Sequence, residues 1–474
     1  MNPLLKDAQA RGLDRRQFLQ NLLFCAGSVP AATWLTACGT SALPATEGTG
    51  PGGMNPDFRS NFADIGPLLP ANADGIQLPA GFTSRVVAVA NQPPLASNPT
   101  FLWHTDPDGG TCFRTDDGGW IYVSNAEVRD LTVSGIARET VEALTGFQGG
   151  VGALRFDPDG NLIDAYAIQS GTTTNCSGGA TPWGTWINGE EITDGYMFEA
   201  SPLRDGGTAV RLDRFGRKAH EMVTVDPVGK AMYHTEDVTG SDRFYRTIFD
   251  PANWPDDGRP DMATGILQVL RVPGDLAAAF DGPVPIEWLN AVDDGTPQPD
   301  VYLEDSTIFG GNEGVYYLNG FVYFTTKPTG DPNTDDVIWV IDTAANTIES
   351  IYSPADGPVG SPVDSAETRM TGIDNITMTL DGEMLVVEDG GDMRCMVLMP
   401  DRTTIPLLRL PGSADVTEVT GVAIAPTGDR IYVSSQRALE QGTPATFRTG
   451  GVTYEIQMPF SVRVDPPLAR PLSG

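Results

Sequence analysis

Acidic residues recur in this chain at the points where short predicted β-strands end. They come from five separate parts of the sequence: Glu127, Glu190 with Glu191, Glu236 with Asp237, Glu313, and Glu388 with Asp389. Any one of them alone is compatible with capping a turn or protecting a strand edge. If the fold brings them together, however, they cannot all stay ionised unless cations neutralise them. Carboxylate oxygens are the ligands that hard cations prefer, so the pattern predicts a multi-cation site.

A repeated hairpin predicts the elements that position these acids. Each copy has a short strand, a polar turn containing glycine and a second strand rich in β-branched and aromatic residues. The copies span residues 112–127, 154–168, 224–237, 314–327, 376–389 and 422–436. We therefore expect an all-β fold, a six-bladed β-propeller with long loop insertions, with five or seven blades as the alternatives. Equivalent strand ends of every propeller blade face one central channel, which would gather the acids at its mouth.

Composition narrows the classes of partner. The 474 residues include 54 Gly and 38 Pro, which favours many turns over long helices. With 30 Lys and Arg against 62 Asp and Glu, the net charge of −32 repels nucleic acid, so we expect no nucleic-acid partner. The 3 histidines argue against a metal site built from imidazole and leave oxygen ligands for any metal. We expect a monomer.

The first residues resemble a targeting segment. Residues 14–19 match a twin-arginine export pattern, an apolar stretch follows, and residues 35–38 match a lipobox. We interpret residues 1–37 as the signal peptide, Cys38 as a lipidated residue that anchors the chain to a membrane, and 38–75 as a flexible tether. The domain then occupies 76–474. The alternative is a plain secretory signal cut near Ala37. Either way we expect an exported protein, and the lipobox favours a periplasmic or cell-envelope lipoprotein.

Six ordered motifs resemble one known family. They are NCSGG at 175–179, TPWGTWINGEE at 181–191, the segment 216–249, and the motifs that begin at Glu313, Asp374 and Glu418. In this order they are similar to the PhoX family of bacterial alkaline phosphatases, over residues 101–437. The resemblance implies a six-bladed propeller with iron and calcium at its channel mouth, hydrolysing phosphate monoesters. It also implies a small phosphorylated substrate.

The resemblance also implies roles for individual residues. Glu190, Glu191, Glu221, Glu236 and Glu313 match ligating glutamates of the family. Oxygen ligands suited to calcium are implied at Asp374, Asn375 and Glu388. Glu127 joins this set of predicted metal ligands because of its place at a strand end. His220, Arg246 and Arg394 are the predicted catalytic or phosphate-contacting residues.

Two positions depart from the family pattern. Gly189 stands where the family motif has a cysteine that binds iron, and Gly311 stands where active relatives have an arginine suited to clamping phosphate. Cys176 lies thirteen residues before Gly189, and we do not expect it to replace the missing ligand. The sequence therefore favours calcium over iron. It leaves open a phosphatase, a lactone or ester hydrolase on the same scaffold, and a calcium-binding propeller without phosphatase activity.

Overall fold

The structure, a computed structural model, describes residues 59–128, 149–238, 240–255, 258–327, 336–353, 368–410, 417–437, 450–464 and 471–472. The predicted signal peptide, Cys38 and residues 39–58 of the predicted tether lie outside the described residues. Among the helices of the described part, none is long and apolar enough to cross a bilayer. The helices there are short 3₁₀ turns at Asn61–Asp64, Asp213–Phe215, Pro251–Asn253, Met262–Thr264, Leu276–Phe280 and Gln298–Asp300.

The described strands form six antiparallel sheets, each of which is one blade. The first strand of the chain, β1 (Thr83–Val89), lies at the outer edge of the last blade. Blade 1 contains β2 (Pro107–Arg114), β3 (Trp120–Ala126), β4 (Gly149–Phe156) and β5 (Leu162–Thr172). Blade 2 contains β6 (Asn175–Ala180), β7 (Trp186–Glu190), β8 (Met197–Ala200) and β9 (Val210–Leu212). Blade 3 contains β10 (His220–Asp226), β11 (Ala231–Glu236), β12 (Phe244–Ile248), β13 (Ile266–Arg271) and β15 (Glu287–Asn290).

The other three blades follow the same order from the channel outward. Blade 4 contains β16 (Asn312–Leu318), β17 (Phe321–Thr326), β18 (Val337–Asp342), β19 (Thr347–Tyr352) and, outermost, β14 (Val284–Pro285). Blade 5 contains β20 (Ile373–Met378), β21 (Met384–Glu388), β22 (Arg394–Leu398) and β23 (Thr404–Arg409). Blade 6 contains β24 (Val419–Ile424), β25 (Arg430–Ser435), β26 (Val452–Gln457) and β1.

The innermost strands close a ring. β2, β6, β10, β16, β20 and β24 each contact the inner strand of both neighbouring blades, and β24 returns to β2. Because β1 pairs with β26, the N-terminal part of the described chain completes blade 6 and joins the two ends of the ring. The prediction of an all-β, six-bladed propeller is confirmed.

Hydrophobic side chains hold neighbouring blades together. Each pair of adjacent blades has its own buried cluster. Trp186 fills the interface of blades 1 and 2, and the rings of Phe244 and Phe324 lie 4.3 Å apart between blades 3 and 4. Fully burying one such side chain stabilises the fold by about 1.5–3 kcal/mol. The strands thereby hold the channel mouth in a fixed shape.

Two details differ from the sequence expectations. The hairpin predicted at 154–168 is the outer pair β4 and β5 of blade 1, whereas the inner pair of blade 2, β6 and β7, falls in the TPWGTW region. The second difference is that residues 59–75 contact the propeller rather than forming a tether. Phe62 is fully buried against blades 5 and 6, where its ring meets the edge of Phe460. This part of the predicted tether therefore belongs to the folded domain.

Candidate metal centre at the channel mouth

One equivalent position in five of the six blades faces the channel mouth. In blades 1 to 5 it is the second residue of the inner strand, inside the bulge: Asp108, Cys176, Glu221, Glu313 and Asp374. In blade 6 the second residue, Thr420, is still paired with Ser434, and its hydroxyl donates to the carbonyl oxygen of Pro107. In each blade the pairing register of the inner strand shifts at or directly after this position. Such a β-bulge bends the strand and redirects its side chains. The bulges explain how residues of six different sheets meet around one axis.

A second set of side chains surrounds the first. The ladder pairs the first residue of an inner strand with the last residue of the next strand, as in Asn175 with Glu190 and His220 with Glu236. The residue after each second strand therefore lies next to the inner set. These residues are Glu127, Glu191, Asp237, Lys327, Asp389 and Gln436. Acids dominate both sets.

Among the residues that the structure describes, three groups of side chains have a geometry that can hold a metal ion. They are Asp108, Glu127 and Cys176; Cys176, Glu191 and Glu221; and Glu221, Glu313 and Asp374. Within each group the potential ligand atoms all lie within 4.8 Å of one another. Cys176 belongs to the first two groups and Glu221 to the last two, so the groups form one continuous centre across blades 1 to 5.

Amide side chains orient the acids of the centre. The Nε2 atom of Gln436 donates to Asp108 Oδ2 at 2.8 Å and to Glu127 Oε2 at 2.5 Å. The Nδ2 atom of Asn375 donates to Asp374 Oδ1 at 2.6 Å and to Glu221 Oε1 at 3.2 Å. These bonds hold the carboxylates in the orientations that create the three groups.

The floor of the centre lies across the channel axis. Ser177 Oγ of blade 2 lies 3.5 Å from Asn375 Oδ1 of blade 5, on the opposite side of the ring. Below this contact the channel continues as a cavity of about 520 Å³ with an apolar lining that includes Val315, Ile376 and Val422. The contact thus divides the channel into an acidic upper part and an apolar lower part.

The electrostatics of the centre favour cations. Burial, with the nearby charges of Glu127 and Asp374, raises the pKa of Asp108 well above its usual value. Burial also raises the pKa of Glu221 and of the Cys176 thiol, and neighbouring carboxylates add to both shifts. The pKa of Asp374 is raised to about 6 by burial, although Lys327 opposes the shift. A bound cation would remove the cost of ionising these groups and release their protons.

The residues present fit iron and calcium by the type of their ligand atoms. Glu221 Oε2 is buried and has no hydrogen-bond partner in the structure, as expected for an atom that is available to a metal. The two groups that contain Cys176 offer a thiolate, which suits a transition metal. The group of Glu221, Glu313 and Asp374 offers only oxygen, which suits calcium.

Six of the predicted metal ligands lie in this centre, and three do not. Those in the centre are Glu127, Glu191, Glu221, Glu313, Asp374 and Asn375. Glu190 instead accepts hydrogen bonds from the backbone N–H groups of Thr173 and Tyr196. The structure places Glu236 and Glu388, which also end second strands, in structural contacts of the same kind. Their neighbours Asp237 and Asp389 occupy the channel-facing position.

Glu236 and Glu388 each stabilise a strand end. Glu236 accepts hydrogen bonds from the Tyr302 hydroxyl at 2.9 Å and from the Arg243 backbone N–H at 3.2 Å. Glu388 forms a bidentate pair with Arg394, at 2.8 Å and 3.0 Å, and both side chains are buried. The predicted phosphate contact Arg394 is therefore engaged in an ion pair away from the three ligand groups.

The other two predicted catalytic residues also lie elsewhere. His220 is fully buried between blades 2 and 3, and its Nε2 atom lies 3.0 Å from the carbonyl oxygen of Gly216. Burial, with the charge of Lys218, lowers the pKa of His220 well below its usual value, which disfavours the charged form. Arg246 lies in the third strand of blade 3, where its guanidinium stacks on Trp288 and donates to Gln268. The structure does not bring either residue to the channel mouth.

The structure corrects the expectation about the cysteine ligand. Gly189 is the fourth of the five residues of β7 and faces blade 3, where an added Cβ atom would be 2.3 Å from the Cβ atom of His220. No side chain at this position can reach the channel. Cys176, in contrast, lies at the centre of two ligand groups, with its Sγ atom 3.4 Å from Asp108 Oδ2. The glycine at 189 is therefore no argument against iron in this chain.

The TPWGTW run shapes the hairpin that carries Cys176 and Glu191. Trp186 donates from Nε1 to Asn125 of blade 1 at 2.9 Å, and Asn125 donates to the carbonyl oxygen of Ser177 at 2.9 Å. Trp183 donates to Glu199 at 2.7 Å and packs against Trp254. The two tryptophans thus fix β6 and β7 between the neighbouring blades, and Glu191 follows where β7 ends.

Asp108 is a site residue that the sequence reasoning missed. It stands in the inner strand of blade 1, before the predicted hairpin at 112–127 begins. An alignment of the six inner strands by their bulges puts Asp108 in the same column as Cys176, Glu221, Glu313 and Asp374. This alignment could have identified Asp108 as a site residue. It requires the pairing register of each inner strand, which the sequence alone does not provide.

These observations define a class of protein: a six-bladed propeller whose channel mouth gathers a thiol and carboxylate groups that could hold metal ions. A sequence model described as alkaline phosphatase PhoX matches residues 105–195 and 193–438, which is more than half of the chain. The chain belongs to the PhoX family. No curated protein sequence matches it.

Solved structures were found with similarity to this chain. Pseudomonas fluorescens PhoX in complex with vanadate, a transition-state analogue, is 15% identical, with a TM-score of 0.62, and the match covers 83% of this chain and 97% of that chain. A gluconolactonase, XC5397 from Xanthomonas campestris, is 12% identical over 83% of this chain and 97% of that chain, with a TM-score of 0.42. At these identities the likeness to PhoX establishes the propeller fold.

Proposed function

We propose that the protein is a metal-dependent phosphatase that hydrolyses small phosphate monoesters at the channel mouth. The observation that carries the proposal is the set of three overlapping ligand groups in a chain of the PhoX family. Cys176, with Asp108 and Glu127 in one group and Glu191 and Glu221 in the other, would hold the metal ions, and Glu313 and Asp374 add acidic surroundings. Iron is our assignment near Cys176 because of its thiolate, with calcium as the ion suited to oxygen ligands.

The chemistry follows from what these side chains hold. Metal ions bound here would polarise the phosphoryl oxygens and lower the pKa of a water that attacks phosphorus. The protein's own carboxylates position the ions, and Gln436 and Asn375 keep those carboxylates in place. The floor formed by Ser177 and Asn375 closes the channel below the centre, so the substrate approaches from the outer mouth. His220 plays no part in proton transfer because it is buried between blades.

Two adjacent glutamates provide a matched test. Glu191 belongs to a ligand group, whereas Glu190 caps backbone N–H groups. Glu191→Gln should lower the rate of p-nitrophenyl phosphate hydrolysis by about 100-fold or more, because loss of a ligand is at least as severe as loss of a group that orients one. Glu190→Gln should retain activity in the folded protein and affect stability. Equal activity of the two variants, or no activity of the wild type under any metal, would refute the phosphatase proposal.

The cellular location is a further proposal that rests on the sequence. Arg15 and Arg16 in the export pattern and Cys38 in the lipobox support export by the twin-arginine route and a lipid anchor. Mass spectrometry of the mature N-terminus tests this proposal. A diacylglyceryl group on Cys38 is the expected result, and a free N-terminus after cleavage near Ala37 would point to an unanchored exported protein.

A further inference from the structure

A lysine lies inside the carboxylate cluster of the centre. Lys327 follows β17, and its Nζ atom lies 2.6 Å from Glu313 Oε1, 3.3 Å from Asp389 Oδ2 and 3.6 Å from Asp374 Oδ2. Glu313 and Asp374 are two of the three members of the oxygen-only group. A positive charge of the protein itself therefore already contacts the group that would otherwise suit calcium.

The position of Lys327 depends on the glycine at 311. The Lys327 backbone N–H donates to the carbonyl oxygen of Gly311 at 2.9 Å. Gly311 has a φ of +46°, and a Cβ atom added there would be 2.9 Å from both Cγ and O of Lys327. A side chain at 311 would thus push against the lysine stem. The Lys327 side chain can take this position only because residue 311 is glycine, whose backbone the aliphatic part of the lysine contacts.

The contact is a buried ion pair, in contrast to the solvent-exposed pairs on the surface. The Glu313 side chain is only 2% exposed and the Lys327 side chain 24%. Removing one partner of such a pair is costly, because it leaves an uncompensated buried charge on the other. Glu313 and Lys327 lie in the same blade, so strand pairing holds both partners in place.

We propose that the Lys327 ammonium is a fixed cation of this centre and takes the place of a divalent ion in the group of Glu221, Glu313 and Asp374. Metal ions then load only into the two groups that contain Cys176. This inference about Lys327 rests on the proposed metal centre, but it does not depend on phosphatase activity. Glu221 can still bind metal in the group with Cys176 and Glu191 when the lysine occupies the other group. Its Oε1 atom accepts a hydrogen bond from Asn375, and its Oε2 atom remains available to a metal ion.

Calcium binding by the chelator-stripped full chain tests the proposal. Lys327→Met and Lys327→Gln should each bind one more calcium ion per chain than the wild type, by titration calorimetry and by metal analysis. Removing a unit charge about 4 Å from the ion should raise affinity for it on the order of a hundredfold or more. Lys327→Arg, which keeps the charge, should match the wild type. Arg155→Met is the matched control, because Arg155 pairs with Asp117, which is outside the three groups.

The outcomes distinguish this inference from the phosphatase proposal. An extra calcium ion in Lys327→Met supports the inference even if the wild type hydrolyses no phosphate monoester. The same or a smaller number of calcium ions in both neutral variants overturns it, even if the wild type is an active phosphatase. If the variants unfold in EDTA but regain the wild-type melting temperature in calcium, a divalent ion has replaced the ammonium. Variants that stay unfolded in calcium contradict the inference.

Discussion

Restoring the family's cysteine at position 189 should destabilise this protein without adding a metal ligand. The Cβ atom of any residue at 189 would lie 2.3 Å from the Cβ atom and 3.2 Å from the Cγ atom of His220. Carbon atoms pack at about 3.5–4.0 Å, so either β7 or β10 must move. His220 has no room to yield, because it is fully buried and its ring is hydrogen-bonded to Gly216.

The expected cost follows from this overlap. Inserting carbon atoms into a packed core typically costs about 1–3 kcal/mol. Gly189→Ala should fall in that range, and Gly189→Cys should cost at least as much. Gly66→Ala is the control, because a Cβ atom at Gly66 would meet nothing within 4 Å. Equilibrium urea unfolding of the metal-free protein measures the difference in free energy for all three variants.

Metal content gives the functional half of this test. Cys176→Ser should lose metal because Cys176 belongs to two ligand groups. Adding Gly189→Cys to that variant should not restore the metal, because a side chain at 189 faces blade 3. The reasoning is refuted if Gly189→Cys unfolds at the wild-type urea concentration and the double variant regains its metal.

Three further predictions follow from the buried charges. Burial raises the pKa of Glu236 to about 7 and that of Asp374 to about 6, so between about pH 4 and pH 7 the folded metal-free chain holds protons that the unfolded chain releases. Its stability should therefore fall as pH rises through this range, by about 1.4 kcal/mol per unit of pKa shift; a flat urea midpoint in EDTA would contradict this. Arg394→Met should lower the free energy of unfolding by about 3–5 kcal/mol in urea, because it leaves the buried Glu388 without its partner. The metal content per folded chain should stay unchanged. Loss of metal would instead make Arg394 part of the centre. Asn375→Ala should weaken metal binding about 10- to 100-fold in chelator competition, because Glu221 loses the amide that orients it. Unchanged affinity would remove that role.

The sequence was sufficient to predict the propeller because its evidence is local. A glycine turn between two β-branched strands defines a hairpin wherever it occurs, and five of the predicted hairpins are inner pairs of blades. The outer strands β4 and β5 of blade 1 have the same pattern, so the sequence cannot distinguish their hairpin from the inner hairpin of a blade. Blade 2 has its inner pair in the TPWGTW region, which did not match the pattern.

Where two acids are adjacent in the sequence, local patterns do not predict which of them faces the channel. Adjacent residues in a strand point to opposite sides, so Glu190 and Glu191 cannot share one site, nor can Glu236 and Asp237. Which member faces the channel depends on strand register and on the bulge in the inner strand. Both are set by pairing between strands, and they direct Glu191, Asp237 and Asp389 to the mouth while their neighbours bind backbone or arginine.

Cys176 shows a similar limit. Its distance in sequence from the glutamate pair suggested separation, but β6 and β7 are antiparallel partners, so the hairpin returns Glu190 to the level of Asn175. Cys176 follows Asn175 in β6, and Glu191 follows Glu190 at the end of β7, so both lie next to the Asn175–Glu190 pair. Only the pairing reveals that Cys176, rather than residue 189, shares a site with Glu191 and Glu221.

Anomalous X-ray diffraction from crystals of the purified protein tests the central claim most directly. Data collected at the iron absorption edge and at a longer wavelength for calcium would locate each bound metal. The account predicts metal ions within about 2.0–2.6 Å of ligand atoms of Glu191 and Glu221, with one bound to Cys176 Sγ. The account would be contradicted by anomalous peaks confined to other places, or by an intact propeller with no metal at the channel mouth after growth with both metals.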